Sequence, residues 1–217
     1  TILVNVINKI GALGVRNLQT EFYDKANEIS GETFKEAYFE KDTTCFRCPV
    51  ACGKDFNVND GEYAGTQWKM PEYETIFALG SMLDNTHKGS IVKANEFCDQ
   101  FGMDTISLGV TLAFAFECYE KGLLTQDRAG RALTFGDYHT VLELIAATAY
   151  RRGLGDLLAE GSVRLAAQLG PEANKYLYAV KGLEMPAHSA RVLKGMSIGY
   201  ATATRGGSHH DTRPTLQ

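Results

Sequence analysis

Three cysteines stand close together in Thr44-Cys45-Phe46-Arg47-Cys48-Pro49-Val50-Ala51-Cys52-Gly53. Their spacing is C-x2-C-x3-C, and Pro49 and Gly53 bend the chain around them. A short loop of this kind aims several thiolates at one centre. Soft sulfur suits iron–sulfur clusters and zinc rather than magnesium or calcium. Three clustered cysteines plus a distant fourth are a common way to hold a four-iron cluster. A structural zinc usually shows two Cys or His pairs, and no second pair lies nearby. Enzymes that generate radicals from S-adenosylmethionine carry the reverse spacing. An iron–sulfur loop and a zinc knot both remain open on these residues.

Two further stretches carry acids or imidazoles. Pro71-Glu72-Tyr73-Glu74-Thr75 places acids at i and i+2, on different sides of a helix. One can face a pocket; the plain alternative is favourable charge at a helix start. Arg205-Gly206-Gly207-Ser208-His209-His210-Asp211 combines backbone freedom with a proton carrier or metal ligands. Its arginine also suits an anion, and its plain alternative is a solvated loop. Asp99-Gln100-Phe101-Gly102-Met103-Asp104 reads first as a glycine helix stop followed by an aspartate cap. Its second reading is a pair of carboxylates that accept hydrogen bonds from a polar ring cofactor. Cys98 and Cys118 fall on apolar helix faces and read as buried structural thiols. His87 and His139 read as solvated surface, and Trp68 as packing.

These residues need a scaffold. The chain of 217 residues is 44% hydrophobic, enough for a sizeable core. Its net charge of −4 argues against nucleic acid or an anionic membrane as partner. No apolar run approaches the roughly 18 residues of a membrane-spanning helix. The odd cysteine count, with three clustered, fits metal binding in a reducing cytoplasm better than disulfides. No secretory leader is expected, and the two ends read as cuts within a longer polypeptide.

The periodicity predicts a mostly α, multihelical fold. A helix then a loop is expected within residues 1–22, and a helix over Thr33–Lys41. A short hairpin turning at Asp60-Gly61 follows the cysteine loop. A helix opens at Pro71 and carries Ile76, Leu79, Met82 and Leu83 on one face. The next is capped by Ser90 and stopped by Gly102. A third is capped by Asp104 and runs to Gly122. A fourth covers Tyr138–Arg152, and a fifth Asp156–Leu169. After Leu177 the pattern becomes glycine-rich and irregular. Residues 1–178 are therefore expected to form a helical domain, and 179–217 the start of a second.

Together these stretches resemble the tungsten- or molybdenum-pterin aldehyde ferredoxin oxidoreductase family. Gly182-Leu183-Glu184-Met185-Pro186-Ala187 and Gly199-Tyr200-Ala201-Thr202-Ala203-Thr204 strengthen the match, with all five segments in the family's order. The resemblance implies three ligands of a 4Fe–4S cluster at Cys45, Cys48 and Cys52. It implies pterin binding at Asp99, Gly102, Met103 and Asp104, beside a bis-pterin metal. It implies that Glu74 and His209 act next to that metal. The implied reaction oxidises a small aldehyde to a carboxylic acid, with water as oxygen source and ferredoxin as electron acceptor. It further implies that a sheet-rich N-terminal part and a fourth cysteine lie elsewhere in the polypeptide. One family feature is absent. A bridging iron held by Glu-x-x-His would align with Lys93-Ala94-Asn95-Glu96, which cannot make that site. Two rivals stand beside this reading: a non-catalytic iron–sulfur or zinc module, and an aromatic thioester reductase of the same superfamily.

Overall fold

Stretches with helical periodicity alternate with glycine stops along most of the chain. The computed structural model describes residues 2–211 and realises this pattern as a multihelical body. In chain order it contains α1 (Leu3–Lys9), α2 (Gly31–Tyr38), β1 (Phe39–Thr43), β2 (Gly53–Asn57), β3 (Gln67–Lys69), α3 (Tyr73–Leu79), α4 (Lys88–Phe101) and α5 (Thr105–Glu120). Then follow α6 (Gln126–Ala129), α7 (Tyr138–Ala149), α8 (Leu154–Leu158), α9 (Ser162–Leu169), β4 (Ala179–Val180), β5 (Leu183–Glu184) and α10 (Lys194–Thr202).

The body is built around α5. Every residue from Leu108 to Cys118 is buried, so this helix is enclosed on all sides. Gly109 lets α3 come close, because a Cβ there would sit 2.5 Å from the Ala78 carbonyl oxygen. Phe114 and Phe116 are wholly buried, each worth about 2–3 kcal/mol of apolar transfer. Cys98 and Cys118 are buried too, and burial pushes both thiols up to about 12. They are structural, as expected.

The caps explain most helix boundaries. Asp104 Oδ2 accepts from the Ser107 N–H at 2.7 Å, and left-handed Gly102 ends α4. Between α4 and α5 the chain bends by 116°. Several expected boundaries differ. The cap of α4 is His87, whose Nδ1 accepts from the Ser90 N–H at 3.0 Å; His87 is therefore half-buried and engaged rather than solvated. Glu72, not Pro71, precedes the first turn of α3. That helix ends at Leu79, and Ser81–Leu83 continue as a 3-10 turn. The expected fifth helix is two, α8 and α9, parted at left-handed Gly161.

The expected helix over Thr33–Lys41 stops at Tyr38, and β1 takes its place. β1 pairs antiparallel with β2, Thr43 opposite Gly53, and β2 pairs with β3, Asp55 opposite Lys69. The β2–β3 hairpin contains Asp60-Gly61, as expected, with Gly61 left-handed. The cysteine loop is thus the tether between two paired strands.

Residues after 178 are more ordered than an irregular reading allows. β4 and β5 form a small antiparallel ladder, and α10 buries Met196 and Tyr200. This segment grips the helical body. Glu184 is buried, and its Oε1 accepts from the Ser162 N–H (2.9 Å), the Ser162 hydroxyl (2.7 Å) and the Thr111 hydroxyl (3.3 Å). Arg191 donates to the Leu18 carbonyl at 3.0 Å.

Candidate active site

The cysteine loop is shaped by its backbone. Arg47 and Ala51 both take left-handed φ, and the Cys48 N–H closes a turn onto the Cys45 carbonyl at 2.9 Å. Gly53 is needed where the loop rejoins the sheet, since a Cβ would meet the Thr43 hydroxyl at 2.8 Å. All three thiols are free; Cys45 and Cys52 are exposed and Cys48 half-buried. Phe46 and Val50, between them, project into solvent.

Beside the loop lies a cavity of about 440 Å³. Cys45, Cys52, Asp99, Met103 and Asp104 all line it, so the loop and the α4–α5 junction share one space. Asp99 Oδ2 accepts from the Trp68 indole N–H at 2.8 Å, which gives Trp68 a positioning task beyond packing. One oxygen of Asp104 is committed to capping α5. Gly102 is not in the lining; its part is the left-handed turn that aims its neighbours. Lys93 and Glu96 are ion-paired with each other at 2.7 Å.

The two acids of α3 part company. Glu72 lines the cavity, while Glu74 points to a cluster of imidazoles. Glu74 Oε2 accepts from the Ala187 N–H at 2.7 Å. Its Oε1 lies 3.2 Å from His188 Nε2 and 3.9 Å from His209 Nε2. The rings of His188 and His209 are 5.4 Å apart, and all three side chains are at least 85% enclosed. Two tyrosines clamp the backbone of this segment. Tyr73 donates to the Ala187 carbonyl at 2.9 Å, and Tyr200 to the His188 carbonyl at 3.0 Å. Burial pushes both phenols well above their ordinary range, and the negative Glu74 adds to this, so both stay protonated donors.

His209 is delivered by the two glycines before it. A Cβ on Gly206 would lie 2.2 Å from the Val180 carbonyl oxygen, and one on Gly207 2.4 Å from that of Leu183. Only glycine allows the loop to lie this close on the β4–β5 ladder. Arg205 and Asp211 pair across the loop, which holds the Asp211 carboxyl below the usual range. The arginine is thereby engaged within the loop, and His210 is exposed. Glu74 and His209, singled out from sequence, are thus brought together. His188 and Glu184 were missed; each is a single polar residue whose partners are remote in the chain.

The whole chain, residues 1–217, matches the family described as aldehyde ferredoxin oxidoreductase, domains 2 and 3. The chain belongs to the aldehyde ferredoxin oxidoreductase family. It is 45% identical over 211 residues to a tungsten-containing aldehyde ferredoxin oxidoreductase of Thermococcus kodakarensis, covering 96% of this chain and 34% of that protein. It is 33% identical over 205 residues to an aliphatic sulfonate oxidoreductase, WOR-like subunit, of Pyrococcus furiosus, covering 91% of this chain and 33% of that one. The chain therefore spans about a third of the length of the curated relatives it matches. Among solved structures, the active-site complex BamBC of benzoyl coenzyme A reductase, bound to 1,5-dienoyl-CoA, shares the fold. The TM-score is 0.66 at 19% identity, over 86% of this chain and 28% of that one. Aldehyde ferredoxin oxidoreductase membership makes this chain part of an oxidoreductase lineage and accounts for its mostly α architecture.

Proposed function

We propose that the protein carrying this chain oxidises small aldehydes to carboxylic acids, with water as oxygen source. The observation that supports this most is the meeting of Glu74 with two imidazoles in an enclosed site. An electron carrier built on a cysteine loop has no need of a sequestered carboxylate and imidazoles elsewhere. Glu74 is suited to take a proton from water, and His209 to hydrogen-bond the developing oxygen charge at the substrate carbonyl. The Ala187 N–H holds one carboxylate oxygen still, which leaves the other to face the imidazoles. Enclosure strengthens each of these interactions by excluding water.

A 4Fe–4S cluster fits the donor set of Cys45, Cys48 and Cys52. A structural zinc usually has two Cys or His pairs, and no second pair lies near this loop, whereas three clustered cysteines with a distant fourth are a common ligand set for a four-iron cluster. The free thiols also suit a reducing cytoplasm. Asp99, Met103 and Asp104 would hold the polar rings of a bis-pterin through the cavity they line. When bound, the tungsten or molybdenum centre and the cluster supply two-electron acceptance and its passage to ferredoxin.

The test uses the full-length protein, purified without oxygen and analysed for tungsten, molybdenum, iron and sulfide. Aldehyde-dependent reduction of ferredoxin by metal-replete protein is the expected result. Full metal content with no aldehyde oxidation would refute the proposal.

A further inference from the structure

Glu74 Oε1 and His188 Nε2 are each sealed from solvent, and neither has a well-aligned hydrogen bond among the described residues. Yet they face each other at 3.2 Å. A buried polar atom left without a good partner is costly, and two that face each other call for an explanation. Packing does not supply one, because the His188 backbone is gripped independently: Tyr200 donates to its carbonyl, and its N–H bonds to the Pro186 carbonyl at 2.8 Å. The imidazole is free of that duty and is aimed at the carboxylate.

We infer that His188 is a positioning residue for Glu74: it orients the carboxylate and takes over the proton that Glu74 acquires. The inference rests on the reading of Glu74 as the working acid or base. Oε2 is engaged by the Ala187 N–H, so Oε1 is the oxygen left to carry a proton. In its Nδ1–H tautomer, His188 accepts that proton at Nε2. The Oε1–H bond breaks and an Nε2–H bond forms, leaving a carboxylate beside an imidazolium. Tyr73 from α3, Tyr200 from α10 and His209 from the loop after α10 face the pair, and the His209 ring lies tilted against that of His210 with centroids 4.1 Å apart. Among the described residues, Glu74 is the acid within ion-pair reach of His188. His188 is 114 positions from Glu74 in sequence, and Tyr73 and Tyr200 hold its segment through the Ala187 and His188 carbonyls.

The experiment uses the full-length, metal-replete protein. In His188→Gln, kcat for aldehyde oxidation is expected to fall at least about tenfold, short of the 10²–10⁴ that a direct acid or base supplies, with KM little changed. Free imidazole should restore turnover to His188→Ala. Independently of activity, the proton NMR spectrum of the wild type should contain a low-field imidazole N–H signal that is lost in both His188→Gln and Glu74→Gln. Unchanged kcat in His188→Gln overturns the inference. So does a fall in kcat without imidazole rescue and without the low-field signal, which would mark a merely structural role. A wild type that is inactive on aldehydes would remove the proposed reaction, while the NMR signal would still decide whether His188 and Glu74 share a proton.

Discussion

Glu184 ties the segment that carries His188 to the helical body, and removing it should loosen that tie measurably. Its Oε1 accepts three hydrogen bonds, from the Ser162 N–H and hydroxyl and from the Thr111 hydroxyl. The carboxylate is buried, so Glu184→Ala leaves these donors without water to replace it. A stranded backbone N–H costs about 1–3 kcal/mol, and hydroxyls cost less because they can rotate to another acceptor. The expected loss is about 3 kcal/mol. Glu184→Gln retains an acceptor oxygen and loses only the charge assistance, so about 1–2 kcal/mol is expected. The penalty falls on α9 and β5, not on the whole protein. Amide hydrogen exchange of the full-length protein is therefore the right assay, since it reads local opening. A loss of 3 kcal/mol is roughly a hundredfold rise in the opening constant, as each 1.4 kcal/mol is tenfold. Amides of Ser162–Leu169 and residues 183–188 should exchange about a hundredfold faster in Glu184→Ala, and about tenfold faster in Glu184→Gln. Unchanged exchange in α9 would refute the capping role.

Two further expectations follow from the geometry. Burial lowers the His87 pKa, against weaker opposing pulls from Glu62 and Asp60, and the ring caps α4 through an unprotonated Nδ1. The unfolded chain therefore binds a proton at His87 more readily than the folded one. Stability should be complete above about pH 6.5 and decline as pH falls below it. His87→Asn keeps a capping acceptor and should flatten that decline in a thermal melt followed from pH 7.5 to 5; an unaltered slope would count against the cap. In the full-length protein, Cys48→Ser should strip cluster absorbance and ferredoxin reduction while pterin content persists, since serine oxygen is a harder ligand. A normal cluster spectrum in the variant would contradict the ligand assignment.

What the sequence revealed depended on how local the cause was. Asp104 and Gly102 were legible because a cap and a left-handed stop act within one turn of their own helix. α5 was legible between its Asp104 cap and the Gly122 stop, but its enclosure on all sides was not. β1 was not, because Phe39-Glu40-Lys41-Asp42-Thr43 is mostly exposed and shows no alternation. Its strand exists only through pairing with β2 across the cysteine loop. His87 was misread because serine is the commoner cap, and here the Ser90 hydroxyl donates to the His87 carbonyl instead. α10 was hidden by Gly195 and Gly199, which weaken a helical pattern; its buried Met196 and Tyr200 become apparent only once it packs. Glu74 and His209 were found through motif resemblance, whereas the contacts that single out the other two, His188 with Glu74 and Glu184 with Ser162 and Thr111, join residues more than twenty positions apart. No window of sequence contains them.

The central claim is that Glu74 and His209 act on one chemical step. The most direct measurement is a double-mutant cycle of Glu74→Gln and His209→Asn in the full-length protein, with aldehyde oxidation rates and tungsten or molybdenum content read together. Each single variant should lose about 10²-fold or more in kcat at full metal content, as for loss of a positioned acid or base. The double variant should lose clearly less than the product of the two, because groups that serve one step are not additive. Near-normal turnover in Glu74→Gln at full metal content would return Glu74 to the role of a helix-end charge and contradict the account.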